Sequence, residues 1–153
     1  MSVAAALETY ESDGRSLLTL IESDTPAAEL SEHAAALTRL ADYLAGEFAI
    51  AYPACGPHLG AALGVLQKLD AISVDEIERS YHANDELPEA PDFCYHPRDL
   101  IVHPATVIVL ARNDSASARR QMLAEMLEVL AHVGAAGQLF ELAGQGKPPE
   151  IAH

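Results

Sequence analysis

Residues 92–112 read DFCYHPRDLIVHPATVIVLAR, and this stretch decides the fold. It combines one cysteine, two His-Pro dipeptides and a β-branched apolar run. Proline suits the first position of a helix, so the two prolines predict two short helices, Pro97–Val102 and Pro104–Arg112. The run Thr106–Val109 is the most strand-like in the chain, which leaves an extended 104–112 segment as the alternative. Helix is favoured because a single strand would have no pairing partner.

The remainder of the chain has the composition and the periodicity of amphipathic helices. Half of the residues are hydrophobic and only 5% are aromatic, and alanine and leucine dominate, which favours helix. Apolar stripes at helical spacing predict these helices: 3–23, 27–48, 58–71, 74–82 and 116–132. The last stripe allows a continuation to Leu142, and the Asp13-Gly14 turn signal leaves open whether 3–23 is one helix or two.

Capping residues mark two helix starts in the sequence. Thr25 is the expected N-cap of the second helix, with Pro26 at its first position. Ser73 and Glu76 have the spacing of a capping box, which predicts that the fourth helix begins at Val74.

Together these elements predict an all-α fold, a single-domain irregular helical bundle of about five to seven helices. The 153 residues suffice for one domain with a sizeable core. The helical domain is expected over 1–143, with an acidic, proline-containing loop at 83–93. Residues 144–153 are predicted to form a flexible C-terminal tail.

The charge excludes some partners and leaves others. With 23 acids against 9 Lys and Arg, the formal net charge is −14, which repels nucleic-acid phosphate and anionic membrane surfaces. No apolar run reaches the length of a membrane span, and no signal peptide is visible. We therefore expect a cytoplasmic protein that has a protein partner, forms a homo-oligomer, or does both, with no nucleic acid and no membrane span. In that compartment the two cysteines are expected to be thiols or ligands rather than a disulfide.

Two Cys/His pairs, each in a break between helices, are the candidate metal ligands. They are Cys55, His58, Cys94 and His96. Thiolates and imidazoles in such a set suit tetrahedral Zn²⁺. The alternative is that the cysteines are small buried hydrophobic residues and the histidines are helix-start residues. The expected cofactor is therefore none, with zinc as the alternative.

A second set of possible ligands lies on the last helix. Glu125, Glu128 and His132 share one helical face, as carboxylate-bridged metal sites require. The apolar stripe lies on the opposite side of that helix, and no second helix offers a matching Glu-x-x-His. The three side chains are therefore expected to face solvent, and His103 is interpreted as a structural residue.

Four consecutive apolar residues, Val107, Ile108, Val109 and Leu110, cannot all face one core from a surface helix. Either this helix is central and buried all round, or a partner covers one side. The leading functional prediction is a non-enzymatic accessory or scaffolding subunit that mediates protein–protein interaction and oligomer assembly, with these four residues at the interface. The alternatives are a zinc-type metal-binding protein, structural or catalytic, and a cysteine-dependent enzyme. No catalytic motif is present, so the prediction leans away from an enzyme.

Overall fold

The computed structural model describes residues 1–83 and 86–150, which contain six α-helices and no strand. In chain order the helices are α1 Val3–Ile21, α2 Ala27–Ala51, α3 Gly56–Ala62, α4 Val74–Ile77, α5 Tyr95–Ala111 and α6 Ala116–Gly144. Short 3₁₀ turns occupy Pro53–Cys55, Leu63–Gln67 and Asp92–Cys94, and a π-helical turn, Glu78–His82, continues α4. The predicted all-α bundle of five to seven helices is confirmed.

Four long helices build the core, and α5 lies at its centre. α1 packs beside α2 and α6, and α5 packs beside the same two helices, while α3 and α4 add further contacts to α5. Thirteen of the 17 residues of α5 are buried, which accounts for its consecutive apolar residues. Each fully buried Val, Leu or Ile contributes about 1.5–3 kcal/mol of burial free energy, so the apolar residues of α5 contribute strongly to the stability of the core.

α5 is one continuous helix that passes through Pro104, and this corrects the prediction of two short helices. A proline inside a helix removes the N–H that would bind the carbonyl four residues earlier, here that of Leu100. The buried Tyr10 hydroxyl of α1 donates a 2.7 Å hydrogen bond to the Leu100 carbonyl oxygen. A side chain from a neighbouring helix thus supplies the bond that the proline removes, and the helix does not end there.

We expect Tyr10→Phe to lower the free energy of unfolding by about 1–3 kcal/mol, because it leaves a buried carbonyl without this donor. Urea denaturation measures the loss. In a Pro104→Ala background the new amide at position 104 can donate to Leu100, so Tyr10→Phe should cost less there. Equal costs in the two backgrounds would show that the hydroxyl does not compensate for the proline.

α1 runs unbroken through Asp13-Gly14. Of the two possibilities for residues 3–23, one helix or two, the structure therefore has one helix. Gly14 faces α6, where an added Cβ atom would lie 3.3 Å from Leu130 Cδ2. The glycine therefore permits close packing of two helices and does not form a turn. α2 begins at Ala27 with Pro26 in the N-cap position, so the prediction of Thr25 as the cap is wrong.

The segment between α2 and α5 is less regular than its apolar stripes predict. The helix expected over 58–71 is instead the short α3 followed by a 3₁₀ turn. The Ser73 cap is confirmed, since its hydroxyl accepts a 3.1 Å hydrogen bond from the Glu76 amide. The second half of the predicted 74–82 helix is the π-helical turn that ends at His82, a geometry that is frequent at functional sites.

Parts of the predicted loop and tail lie outside the described residues. These are residues 84–85 of the 83–93 loop and residues 151–153 of the tail. α6 extends to Gly144, the first residue of the predicted tail. In the described part of the chain, no helix has the length and apolar character needed to cross a bilayer.

Candidate metal centre

α5 and α6 each carry three polar side chains at the same spacing of i, i+3 and i+7, which keeps them on one helical face. They are His96, Asp99 and His103 on α5 and Glu125, Glu128 and His132 on α6. A short turn, 112–115, joins the two helices, and they pack side by side. The antiparallel arrangement brings the polar faces together in the interior of the bundle.

The carboxylate of Asp99 is the centre of this arrangement. Its Oδ2 atom lies 3.0 Å from His132 Nε2 and 3.8 Å from His103 Nε2. His82, at the end of the π-helical turn, places its Nε2 at 3.8 Å from the same oxygen. The other oxygen, Oδ1, accepts a 2.9 Å hydrogen bond from Arg98 Nε. Three imidazoles from three segments therefore converge on one buried carboxylate oxygen.

We define the His/carboxylate cluster as six side chains that meet around this point. They are His82, Asp99, His103, Glu125, Glu128 and His132. The cluster has three carboxylates, and the guanidinium of Arg98 is the single positive charge beside them. With neutral imidazoles the group therefore carries two net negative charges. A divalent cation would neutralise that charge.

Each of the three converging histidines is held through its Nδ1 atom by a partner outside the convergence point. The pairs are His103 with Glu125, His132 with His96 at 3.0 Å, and His82 with Glu78 at 2.9 Å. Metal-binding histidines are usually fixed in this way, because the second ring nitrogen bonded to an outer group sets the tautomer and the ring orientation. The Nε2 atoms are thereby left to face inward.

The Nε2 atom of His103 is buried and has no hydrogen-bond partner. Its side chain is only 2% exposed, and Glu128 Oε2 lies 3.5 Å from this nitrogen. A buried polar atom without a partner costs about 1–3 kcal/mol. A nitrogen in this position, between the carboxylates of Asp99 and Glu128, is suited to bind a cation.

Two overlapping sets of three residues could each hold an ion, because the three potential ligand atoms of each set lie within 4.8 Å of one another. Both sets include His103. The inner set is Asp99, His103 and His132, and the outer set is His82, His103 and Glu128. Ligands about 2.0–2.1 Å from a tetrahedral metal are about 3.3 Å apart. The 3.0 and 3.8 Å separations around Asp99 Oδ2 bracket that value, so small side-chain movements would bring the inner set onto one ion.

The cluster shifts the ionisation of its two central groups in opposite directions. Burial opposes the charge on His103, but the neighbouring carboxylates of Asp99 and Glu125 outweigh it and raise the pKa of His103 to about 9. Burial likewise opposes the charge on Asp99, yet His103, His132 and Arg98 hold the pKa of Asp99 well below its usual range. In the absence of a metal, a proton on His103 therefore supplies the positive charge that Asp99 and Glu125 require.

This predicts how the stability of the metal-free protein depends on pH. The pKa of His103 is raised on folding, so its contribution is complete below pH 6.5 and is lost as pH rises through about 9. We expect chelator-treated protein to lose up to about 3 kcal/mol of unfolding free energy over this range, measured by urea denaturation at intermediate pH values. His103→Gln should flatten the dependence. A wild-type stability that rises between pH 6.5 and 9 would contradict the assignment.

The four residues predicted as Cys/His metal ligands make separate contacts in the structure. Cys55 and Cys94 form a disulfide, with Cα atoms 5.5 Å apart, so the expectation of free thiols is wrong. Local sequence cannot show this, because the two residues come from the turns that precede α3 and α5. His58 Nδ1 bonds the Pro88 carbonyl oxygen at 2.8 Å, whereas His96 bonds His132. A site with four ligands from these residues would lack both thiolates, and both of its histidines make other contacts.

The proposed interface residues are largely covered by the chain itself. Val107, Val109 and Leu110 are buried at 0%, 6% and 8% exposure, and Ile108 is partly buried. Of the two alternatives left by the sequence, the central buried helix is observed. The apolar run therefore does not require a partner to cover it.

The expectation that Glu125, Glu128 and His132 face solvent is wrong for Glu125 and His132. Glu125 and His132 are partly buried against α5, and only Glu128 is largely exposed. The apolar stripe of α6 faces α1 and the core beside this polar face. The sequence prediction does not include Asp99 or His82, and it interprets His103 as a structural residue. The repeated i, i+3, i+7 spacing on α5 was the signal for Asp99 and His103, whereas nothing in the local sequence distinguishes His82.

Fold and cluster together define an all-α protein in which two antiparallel helices and a π-helical turn enclose three histidines and three carboxylates. Comparison with known proteins adds no relative, since no family model, curated protein or solved structure matches the chain.

Proposed function

We propose that this protein binds a divalent first-row transition-metal ion, such as Zn²⁺ or Fe²⁺, in the His/carboxylate cluster. Asp99, His103 and His132 are the primary ligands, a set of two histidines and one carboxylate that is common for these metals. His82 and Glu128 lie beside the remaining coordination positions. Their side chains are 28% and 61% exposed, so this is the side from which water or another ligand reaches the ion.

The observation that carries the proposal is the convergence of three Nε2 atoms on Asp99 Oδ2, with each ring anchored through Nδ1. Ordinary ion pairing explains each contact singly. It does not explain why the buried Nε2 of His103 lacks a hydrogen bond while it faces two carboxylates. A metal ion would use that nitrogen and neutralise the excess negative charge at the same time.

The scaffolding function predicted from the sequence depended on apolar surface around residues 107–110. Because helices of the same chain bury most of that run, the geometry favours metal binding over scaffolding. The cysteine-dependent enzyme gains no support either, since neither sulfur is a free thiol.

Elemental analysis of protein purified without chelators tests the function. We expect about one transition-metal ion per chain, removed by chelators and restored by Zn²⁺ or Fe²⁺ but not by Mg²⁺, which prefers oxygen ligands. Asp99→Asn and His132→Gln should each bind less metal, whereas Asp42→Asn, an exposed change on α2, should bind as wild type. If wild-type protein bound no metal after exposure to all of these ions, the cluster would be a protonated ion-pair network only.

Glu125 is expected to act as a positioning residue, because it contacts Nδ1 of His103 and not the convergence point. Glu125→Gln should weaken metal affinity about 10–100-fold, as measured by competition with a chromophoric chelator. Glu141→Gln, an exposed change on the same helix, provides the matched control. Equal affinity in wild type and Glu125→Gln would remove this role from Glu125.

The cytoplasmic location remains a prediction. A reducing cytoplasm keeps cysteine pairs as thiols, so the reduced form of the Cys55–Cys94 pair would be present in that compartment.

A further inference from the structure

The two ligand sets of the His/carboxylate cluster differ in how far they lie from solvent. In the inner set the carboxylate is that of Asp99, which is buried, and in the outer set it is that of Glu128, which is 61% exposed. The histidine that is particular to each set, His132 or His82, is half-buried, and His103 belongs to both. An ion in the outer set would therefore touch solvent, whereas an ion in the inner set would be enclosed.

The shared residue makes the two sets alternative positions for one ion. His103 Nδ1 is bonded to Glu125, so Nε2 is the ring atom that faces an ion, and its single lone pair binds one ion at a time. This Nε2 lies 3.5 Å from Glu128 Oε2 and 3.8 Å from Asp99 Oδ2. An ion that moves from the outer to the inner set thus keeps its bond to His103 while it exchanges its other ligands.

The distance between the two positions is short, because the sets also meet at a second point. His82 Nε2 of the outer set lies 3.8 Å from Asp99 Oδ2 of the inner set. Asp99 can therefore approach an ion that His82 still holds, and the ligands can be replaced one after another. The ion never has to leave all its protein ligands, which would be the costly step in a buried site.

The outer set also lies where a cation is attracted from solution. The His82 ring is held through Nδ1 by Glu78, whose side chain is 62% exposed. Two exposed carboxylates, those of Glu78 and Glu128, thus flank the solvent side of the cluster. Negative charge at the mouth of a site raises the local concentration of cations and the rate at which they bind.

We propose that the outer set, His82, His103 and Glu128, is a second metal position through which the ion enters and leaves the cluster. A hydrated divalent ion binds there first, loses part of its water, and then exchanges His82 and Glu128 for Asp99 and His132. Release follows the same path in reverse. This entry position presupposes the metal binding proposed for the cluster and adds to it a site that controls the rate of exchange.

Rapid mixing of chelator-treated protein with Zn²⁺ measures loading, with a chromophoric chelator added at set times to bind the remaining ion. Release is measured by transfer of Zn²⁺ from loaded protein to excess chelator. His82→Gln should slow both steps about tenfold or more, so the rates should change much more than the dissociation constant. His132→Gln should show the opposite pattern, weaker binding that results mainly from faster release. His33→Gln is the control and should exchange as wild type.

A crystal of His132→Gln grown with saturating Zn²⁺ locates the entry position itself. Loss of one inner ligand should leave the ion in the outer set, with an anomalous peak about 2.0–2.2 Å from His82 Nε2 and His103 Nε2. Circular dichroism verifies that each variant is folded.

Wild-type loading and release rates in His82→Gln would overturn the entry position, as would a zinc-saturated His132→Gln crystal with no ion beside His82. Faster release in His82→Gln with unchanged loading would also overturn it, because His82 would then be an ordinary ligand of the bound ion. In these cases wild type still binds its ion, so the function proposed for the cluster stands. Wild-type protein that binds no metal would remove both.

Discussion

Replacing Cys55 and Cys94 together by alanine should lower the free energy of unfolding by about 4 kcal/mol. A cross-link that closes a loop of about 40 residues lowers the conformational entropy of the unfolded chain, and this raises the stability of the folded chain by about that amount. The sequence separation of the pair is 39 residues. The enclosed segment contains the least regular part of the fold, with the short helices α3 and α4, the π-helical turn and the proline-containing loop. A segment with so little helix of its own depends strongly on being held at both ends.

Urea denaturation of oxidised wild type and of the double variant measures this effect. Reduced wild type is the matched control, because it keeps both sulfur atoms in the core and loses only the covalent bond. A loss shared by the reduced protein and the variant is due to loop closure, and any extra loss in the variant is due to packing. A difference below about 1 kcal/mol between oxidised and reduced wild type would show that the cross-link adds little.

Metal binding should give the second large effect. An ion present at 100 times its dissociation constant stabilises the folded chain by about 2.7 kcal/mol. For a chain of this length that corresponds to an increase in the melting temperature of about 5–10 °C. His103→Gln should remove this increase, because His103 belongs to both sets of ligand atoms.

Differential scanning calorimetry of chelator-treated protein, with and without Zn²⁺, measures the increase. His33→Gln is the control, since His33 lies on α2 and takes no part in the cluster. An equal increase in wild type and His103→Gln would place the stabilising ion elsewhere on the chain.

Helical stripes and caps predicted the fold because they are local properties. The Ser73 cap and the periodicity of α2 depend on residues within a few positions of one another. The continuity of α5 through Pro104 could not be predicted in this way, since it depends on the hydroxyl of Tyr10, 90 residues from Leu100. The chain order contains no sign that these two groups meet.

Only the half of the candidate site that lies on α6 could be predicted from the sequence, for a similar reason. Helical spacing placed Glu125, Glu128 and His132 on one face, but it could not show which helix lies opposite. The matching spacing on α5 was hidden by its prolines, because the two expected helices placed Asp99 in the first and left His103 in the break between them. His82 joins the cluster only because the π-helical turn packs against α5.

The central claim is that Asp99, His103 and His132 bind one metal ion, and a crystal structure grown with Zn²⁺ tests it most directly. Anomalous diffraction measured at the zinc absorption edge locates the ion. The expected result is one strong peak about 2.0–2.2 Å from His103 Nε2, His132 Nε2 and an Asp99 oxygen. A zinc-saturated crystal with its peaks elsewhere, and with no ion within bonding distance of His103 Nε2, would contradict it.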